Sequence, residues 1–360
     1  MVAGLQAAGR VATEVGRLAV DLVRRRGGSP GAAGLDRADL SRLLGHPIGS
    51  ARVLDGTSGT TDRARFELDG ARTVFVKTSA TAAGTRLFGG LARLGEVEVG
   101  FYRDLRPVVD LEAPLLVGAD FDRVSGRFVI VLEDLTARGA TFVDTLSPLT
   151  VEQAAASLTT LARLHAGTHD LRAWPRWLRT NSADALLPIV TASLGPLGRR
   201  VERRDPSLVA GGGGRLLATY GEWAALLDQG PQCVLHGDPH PGNVYLLEDR
   251  VGLLDWQAVR RGNPVRDVAY HLTLGLTTVA RRASERDLLG HYLTELAAYG
   301  GPRMDADDAW LAYRRMVGYA YVAATFTFGL GGLQGDEIAD EGLRRAVAAV
   351  DDLETTTLLG

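Results

Sequence analysis

The chain has 360 residues, of which 46% are hydrophobic and 23% charged, a balance typical of globular proteins. Its formal net charge of −3 gives no strong field for nucleic acid or for an anionic membrane, so neither class of partner is predicted. Cys233 is the only cysteine and lies in an apolar run, which excludes an intramolecular disulfide, predicts a buried thiol and makes the cytoplasm the default location.

The first predicted element is an amphipathic helix over residues 1–26, in which five arginines alternate with apolar residues and which ends at Gly27-Gly28-Ser29-Pro30. Such a helix can lie on a membrane surface, pack on its own domain or contact a second subunit, so its role and the oligomeric state are left open. The N-terminus lacks the pattern of a secretory signal, and no run approaches the ~20 apolar residues of a membrane span.

A group of three strands is predicted next, after a short helix capped by Asp36. The strands cover residues 48–54, 65–68 and 73–77, and a glycine-containing loop at 55–61 separates the first two. The third strand ends at Lys77, the only lysine among 40 basic residues. A compact ammonium suits a confined phosphate site that the planar arginine fork does not fit, so Lys77 is a candidate phosphate ligand.

A helix and a strand pair follow. The spacing of Glu98, Phe101, Tyr102 and Leu105 predicts the helix. Residues 115–119 and 127–132 predict the strand pair, and the second of these strands is a continuous apolar run that we expect to be central and buried.

The most informative stretch is His236-Gly237-Asp238-Pro239-His240-Pro241-Gly242-Asn243, followed by a predicted hairpin and then by Asp255. Apolar runs that predict short buried strands lead into both parts. The two prolines and Gly242 forbid a helix between Asp238 and Asn243, so these side chains should sit on a rigid loop. Phosphoryl transfer needs positioning and charge rather than covalent help, and three oxygen-bearing side chains on stiff loops supply both.

The motif H-G-D-P-H-P-G-N followed by L-L-D-W-Q resembles the aminoglycoside phosphotransferase and choline kinase superfamily. The resemblance implies that Asp238 accepts the proton of the attacking hydroxyl and that Asn243 and Asp255 bind Mg²⁺. It also implies ATP as the nucleotide, with GTP left open. The loop residues Ser58, Gly59 and Thr60 would then cover the phosphates.

The same resemblance assigns further roles. Glu98 would form an ion pair with Lys77, and the backbone of the hinge at Glu133 and Leu135 would bind adenine. Asp267 would brace the catalytic loop through its backbone, and His165 would be structural.

The predicted fold is a two-lobed, protein-kinase-like α+β structure. Residues 1–134 would form the N-terminal helices and a small antiparallel-sheet lobe that binds nucleotide, and residues 135–360 a larger, mainly helical lobe. Helices are predicted from Thr150 through His165 and near 281–299, 305–328 and 336–356, the last three walling the acceptor site. Between 180 and 230, helical pieces should break at Gly195-Pro196 and at residues 211–214.

The predicted activity is transfer of the γ-phosphate to a hydroxyl of a small-molecule acceptor. A nucleotide-binding pseudokinase or regulatory module is the alternative, although Lys77, Glu98, Asp238, Asn243 and Asp255 form a complete set. A protein kinase is disfavoured because the motif lacks H-R-D and no A-P-E segment follows.

The acceptor and the number of metals are not fixed by the sequence. Gln257 stands where many aminoglycoside kinases have an acid, which leaves one or two metals open. The hinge and the Asp-Trp-Gln run also resemble the ecdysteroid-kinase-like branch, so the acceptor is undetermined. Acids that could attract a polycation are Asp305, Asp307, Asp308, Asp336 and Glu337.

Overall fold

The computed structural model describes residues 2–24 and 31–359. The chain forms two compact units, the first from Met1–Pro107 with Ala113–Ala140 and the second from Val108–Glu112 with Thr141–Gly360. The sequence-based division after residue 134 therefore differs in position from the division seen here, which assigns Val108–Glu112 to the second unit and falls after Ala140. The predicted helix end at Gly27–Pro30 lies outside the described residues.

The first unit is built on a five-stranded antiparallel sheet with the order β1-β2-β3-β5-β4. The strands are β1 Ala51–Ser58, β2 Thr61–Leu68, β3 Arg72–Ser79, β4 Leu116–Phe121 and β5 Phe128–Glu133. The helices are α1 Val2–Arg24, α2 Arg37–Leu44, α3 Ala83–Leu91 and α4 Leu94–Gly100, which continues as a π-helical turn over Phe101–Leu105. Alternating residues of β2 and β3 pack with Leu40 of α2 in a buried core that includes Phe66, Val74 and Val76.

The predicted loop between β1 and β2, residues 55–61, is longer than the loop in the structure. Residues 55–58 continue β1, and only Gly59 and Thr60 lie between the two strands, with Ser58 paired to Asp62. Threonines at 57 and 61 favour extended backbone, and the strand ladder extends through them. The expected glycine-containing loop is therefore a tight hairpin.

Helix α1 packs on α3 with a polar buried face. Glu14 and Asp21 are each about 3% exposed, and they pair with Arg17 and Arg127 respectively. Leu5 and Leu22, in contrast, are exposed. Arg10 and Arg17 both form ion pairs with Glu14, so these two arginines make contacts within the first unit.

The second unit is mainly helical. Its helices are α5 Val151–Ala166, α6 Leu187–Arg204, α7 Gly213–Ala218, α8 Tyr220–Trp223, α9 Val265–Gly275, α10 Thr278–Ala298, α11 Ala306–Leu330, α12 Asp336–Asp352 and α13 Thr355–Leu359. Its strands are β6 Thr141–Phe142, β7 Cys233–Leu235, β8 Val244–Leu246, β9 Val251–Leu253 and β10 Arg260–Gly262. All 11 residues of α9 are buried, which makes this helix the centre of the unit. No helix in the described part of the chain is long and apolar enough to cross a membrane.

The predicted break at Gly195-Pro196 is wrong, because α6 runs through both residues. Proline costs a helix one hydrogen bond and crowds the preceding residue, but that residue here is glycine, which has no Cβ to clash. Packing of α6 against α11, where Leu197 lies close to Gly329, compensates for the lost bond. The thiol of Cys233 is buried, as the sequence predicts.

Candidate functional site

The predicted catalytic loop leaves the buried strand β7 and turns sharply at Gly237. This glycine has φ of +86°, and a Cβ at its position would lie 2.1 Å from the carbonyl oxygen of Ala258. Only glycine fits both the left-handed backbone and the close approach. The loop then forms a single 3₁₀ turn at Pro241–Asn243, where the sequence analysis predicted no helix. The turn can form because a proline at the first helical position needs no N–H.

Asp267, on α9, holds the start of this loop. Its carboxylate accepts hydrogen bonds from the backbone N–H of His236 at 2.6 Å and of Gly237 at 3.1 Å. His165 Nε2 lies 3.3 Å from Asp267 Oδ2, and the other ring nitrogen of His165 contacts the Tyr292 hydroxyl. Burial alone would raise the pKa of Asp267, but the hydrogen bond from His165 and neighbouring charges hold it below its ordinary value. The bracing role expected for Asp267 is thus present.

His236 locks the loop to the end of the following hairpin. Burial lowers its pKa, so the ring is neutral at pH 7. Its Nε2 lies 3.0 Å from the carbonyl oxygen of Leu254, and its Nδ1 accepts from the backbone N–H of Asp238 at 3.3 Å. A neutral imidazole with the proton on Nε2 satisfies both contacts.

Asp238 is held by its side chain as well as by its backbone. Its Oδ1 accepts a 2.7 Å hydrogen bond from the hydroxyl of Tyr270. Its Oδ2 lies 3.4 Å from Asn243 Nδ2 and 3.7 Å from His240 Nε2, both long for hydrogen bonds. One carboxylate oxygen is therefore firmly bonded and the other only loosely.

The hairpin of β8 and β9 brings Asn243 and Asp255 to the same end. Val244 pairs with Leu253, and the Asn243 carbonyl accepts from the N–H of Leu254, so Asp255 follows directly. Asp255 has φ of +64°, an uncommon backbone conformation that turns the chain sharply after β9.

Amide and carboxylate oxygens are the donors that Mg²⁺ prefers. The side-chain N–H of Asn243 donates to the backbone carbonyl of Asp238 at 2.9 Å, which leaves its oxygen as the donor atom for a cation. Among the described residues there is no group of three or more histidines, cysteines or acids suited to a metal. Since Mg²⁺ commonly takes only one or two carboxylates and completes its shell with phosphates and water, these two residues fit it.

In the first unit, Lys77 and Glu98 form the predicted ion pair. The distance from Lys77 Nζ to Glu98 Oε2 is 2.8 Å, and both side chains are almost fully buried. Lys77 lies in β3 opposite Arg63 of β2 and Ile130 of β5, and Glu98 projects from α4. Glu96, two positions before Glu98, bonds Arg93.

The other predicted nucleotide residues belong to the same unit. Ser58 ends β1, and Gly59 and Thr60 form the turn to β2. The Glu133 carboxylate accepts from the backbone N–H of Leu115 and from Arg138, while Leu135 begins a short 3₁₀ turn. The Glu133 side chain is thus committed to the fold.

The acids considered for a polycationic acceptor do not gather. Asp305 caps α11 and accepts from the N–H groups of Asp307 and Asp308. Asp336 and Glu337 begin α12, after the 25 residues of α11. A helix of that length spans ~37 Å, so the two groups of acids lie at opposite ends of it.

Sequence analysis missed two residues of α9 beside Asp238. Tyr270 bonds its carboxylate, and His271 lies 2.8 Å from the carbonyl oxygen of Pro239. A signal was available, because positions three and four beyond Asp267 share its helix face. Once Asp267 is placed against the loop, these two side chains must face the loop as well.

Comparison with solved structures identifies the fold as kinase-like. A choline/ethanolamine kinase family protein from Mesorhizobium loti superposes with a TM-score of 0.53 at 15% identity, covering 90% of this chain and 96% of that one. Choline kinase LicA from Streptococcus pneumoniae has a TM-score of 0.49 at 16% identity, covering 89% of this chain and 97% of that one. Macrolide 2′-phosphotransferase MphH from Brachybacterium faecium has a TM-score of 0.46 at 17% identity, covering 81% of this chain and 90% of that one. The similarity to the Mesorhizobium loti protein, together with the five-stranded antiparallel sheet and the mainly helical second unit, confirms the predicted two-lobed fold class.

The sequence profile of the phosphotransferase enzyme family matches residues 58–310, which is more than half of the chain. The chain belongs to this family, and the resemblance inferred from H-G-D-P-H-P-G-N is confirmed. No protein with a curated description matches it in sequence.

Proposed function

We propose that the protein is an ATP-dependent kinase that transfers the γ-phosphate to a hydroxyl of a small-molecule acceptor. The observation that carries this proposal is the loop in which Asp238, Asn243 and the following Asp255 converge on one end of the β8–β9 hairpin. Family membership supports phosphotransfer in general; the nucleotide, the metal and the roles of single residues are our proposal.

Asp238 would accept the proton of the acceptor hydroxyl as that oxygen attacks phosphorus. In the part of the chain that the structure describes, the contacts of its Oδ2 are long, at 3.4 Å and 3.7 Å, so this oxygen is available to a hydroxyl. The base oxygen must lie within about 2.6–3.2 Å of the hydroxyl oxygen whose proton it removes, and a loop fixed by Asp267 keeps the carboxylate in place for that contact. The new bond joins the acceptor oxygen to the γ-phosphorus, the bond to the β-phosphate oxygen breaks, and ADP leaves.

The nucleotide would be recognised by the first unit. Lys77 offers a compact positive charge for the α- and β-phosphates, and Glu98 holds that ammonium in one orientation. The backbone of Ser58, Gly59 and Thr60 would cover the phosphates, and backbone groups at Glu133 and Leu135 would bind the base. Nothing in these contacts separates ATP from GTP, and ATP is proposed from family resemblance.

Asn243 and Asp255 would hold Mg²⁺. When bound, the cation supplies charge neutralisation for the phosphate oxygens. The residues' own contribution is positional, because Asn243 is tied to the Asp238 backbone and Asp255 follows a paired strand. Gln257, in the 3₁₀ turn after Asp255, leaves a second cation without an obvious acidic ligand on this segment.

The decisive experiment is a screen of hydroxyl compounds with Mg·ATP, following ADP formation and the phosphorylated product by mass spectrometry. The screen should span amino alcohols, sugars, ketoamines, aminoglycosides and macrolides. Asp238→Asn should lower turnover by about 10²–10⁴-fold and leave ATP binding nearly intact. Asp287→Asn, an exposed acid on α10, is the matched control and should behave like the wild type.

Two results would contradict the proposal. The first is an Asp238→Asn variant that phosphorylates its acceptor at the wild-type rate. The second is a wild-type protein that binds ATP with the same affinity with and without Mg²⁺ and modifies none of these compounds, which would favour the pseudokinase or regulatory alternative.

A further inference from the structure

Helix α9 holds four consecutive residues of the catalytic loop from a single face. Asp267 binds the backbone N–H groups of His236 and Gly237, Tyr270 binds the side chain of Asp238, and His271 contacts the carbonyl of Pro239. Positions 267, 270 and 271 have the i, i+3, i+4 spacing that aligns side chains on one helix face. Of these three α9 residues, only Tyr270 contacts the Asp238 carboxylate that the proposed reaction uses.

We propose that Tyr270 is a positioning residue, whose hydroxyl holds Asp238 Oδ1 so that Oδ2 faces the acceptor hydroxyl. This inference rests on the proposed function, because it concerns the orientation of the proposed base. A carboxylate on a loop can rotate about two side-chain bonds, and a hydrogen bond to one oxygen removes most of that freedom.

The surroundings of Tyr270 suit a fixed donor. The residue is about 6% exposed, and its ring packs against Tyr319 with centroids 5.8 Å apart. Tyr319 is in turn covered by the guanidinium of Arg266, 3.7 Å from the ring centroid. Arg266 lies one turn before Tyr270 on α9 and is itself fully buried, so the three side chains form a packed stack.

The hydroxyl of Tyr270 stays protonated and therefore donates. Burial, helped by the charge of Asp238 and the nearby Tyr319, raises its pKa well above the ordinary value, and Arg266 opposes this only in part. A phenol that keeps its proton can only donate to a carboxylate.

The contacts of the two Asp238 oxygens differ in length, which gives the hydrogen bond its directional effect. Tyr270 reaches Oδ1 at 2.7 Å, whereas Asn243 and His240 stay 3.4 Å and 3.7 Å from Oδ2. Without the Tyr270 hydroxyl, Oδ1 would lose its one short side-chain partner among the described residues, and the carboxylate could rotate towards either neighbour.

The test is a double-mutant cycle on Tyr270→Phe and Asp238→Asn, with water as the acceptor and phosphate release from Mg·ATP as the readout. Tyr270→Phe should lower kcat about 10- to 100-fold with the KM for ATP unchanged. In the Asp238→Asn background, Tyr270→Phe should lower kcat less than threefold, because the carboxylate that Tyr270 positions is already gone. The melting temperature and the ATP dissociation constant of each variant show that it is folded.

Tyr220→Phe is the matched control. Tyr220 is also buried, and its hydroxyl bonds the neutral side chain of Asn181 rather than Asp238. We expect it to change melting as much as Tyr270→Phe does and to leave kcat within threefold.

The outcomes separate the two proposals. If Asp238→Asn releases phosphate at the wild-type rate, the proposed function itself fails. If Asp238→Asn is slow but Tyr270→Phe matches Tyr220→Phe, or lowers kcat by the same factor in both backgrounds, only the positioning role is overturned.

Discussion

Lys77 Nζ lies 2.8 Å from Glu98 Oε2, with 3% and 2% of the two side chains exposed. Twenty-one positions in the sequence separate the two residues, and β3 and α4 bring them together inside the first unit. A buried ion pair adds little net stability, since removing two charges from water offsets most of their attraction. This pair is therefore weak evidence for stability, and we propose that it serves nucleotide binding.

The first prediction concerns the shape of the cation. Lys77→Arg keeps the charge but adds length and a planar fork, so it should lower kcat/KM more than ~10²-fold while the circular dichroism spectrum is unchanged. Glu98→Gln should weaken the same step less.

A double variant separates function from stability at this pair. Lys77→Met with Glu98→Leu replaces the buried charges by apolar groups, which commonly leaves stability equal or higher. We expect melting near that of the wild type with phosphotransfer lost. Activity retained in this variant would move phosphate binding away from Lys77.

The second prediction concerns Asp255. Its φ of +64° is tolerated by asparagine as well as by aspartate but penalises alanine, so Asp255→Asn removes the charge with little backbone strain. Titrating ATP with and without Mg²⁺ should show that the metal no longer strengthens binding in this variant. Asn243→Ala should reduce the metal effect less. An undiminished Mg²⁺ effect in Asp255→Asn would remove the assignment.

The third prediction is a pH dependence at Asp267. Because folding lowers the pKa of Asp267, its carboxylate stabilises the folded state above the unfolded value of about 3.9, and this stabilisation disappears as the pH falls through the folded value. Asp267→Asn should therefore reduce the free energy of unfolding at pH 7 by about 2–4 kcal/mol.

Denaturant titrations of both proteins at several pH values check this. The difference between Asp267→Asn and the wild type should shrink below about pH 4. The exposed substitution Asp287→Asn should show no such pattern. If the free energies of unfolding of the two proteins differed by the same amount from pH 7 to pH 3, the charge of Asp267 would not be what braces the loop.

The fourth prediction separates two reasons for glycine. Gly139 has φ of +73° and open space around it, so Gly139→Ala should cost only the left-handed strain of about 1–2 kcal/mol. Gly237→Ala adds a Cβ 2.1 Å from the Ala258 carbonyl oxygen, so the backbone must shift at a further ~1–3 kcal/mol. Thermal melts measure both, and only Gly237→Ala should also lower turnover. Equal losses in the two variants would argue against the close approach.

The sequence predicts the residues of the site better than their supports. Asp238, Asn243 and Asp255 stand out because prolines and short apolar runs fix their local geometry, and the single lysine points to β3. Tyr270 was missed because its contact with Asp238 depends on how α9 packs across the loop, 32 positions further along the chain.

Two errors along the chain have a similar origin. The glycines and threonines before β2 suggested a wide loop where strand pairing continues, and Gly195-Pro196 suggested a break where packing on α11 keeps a helix intact. In both places, contact with another element decides the structure: the adjacent strand β2 extends β1, and the distant helix α11 supports α6.

The hold of α9 on residues 236–239 also sets how the loop opens. The N–H groups of His236 and Gly237 bond a helix side chain rather than a neighbouring strand, so their hydrogens can exchange with solvent only when Asp267 moves away. Since every residue of α9 is buried, we expect that movement to occur only when much of the second unit unfolds. The two amides should therefore exchange as slowly as those inside α9, although they belong to a loop.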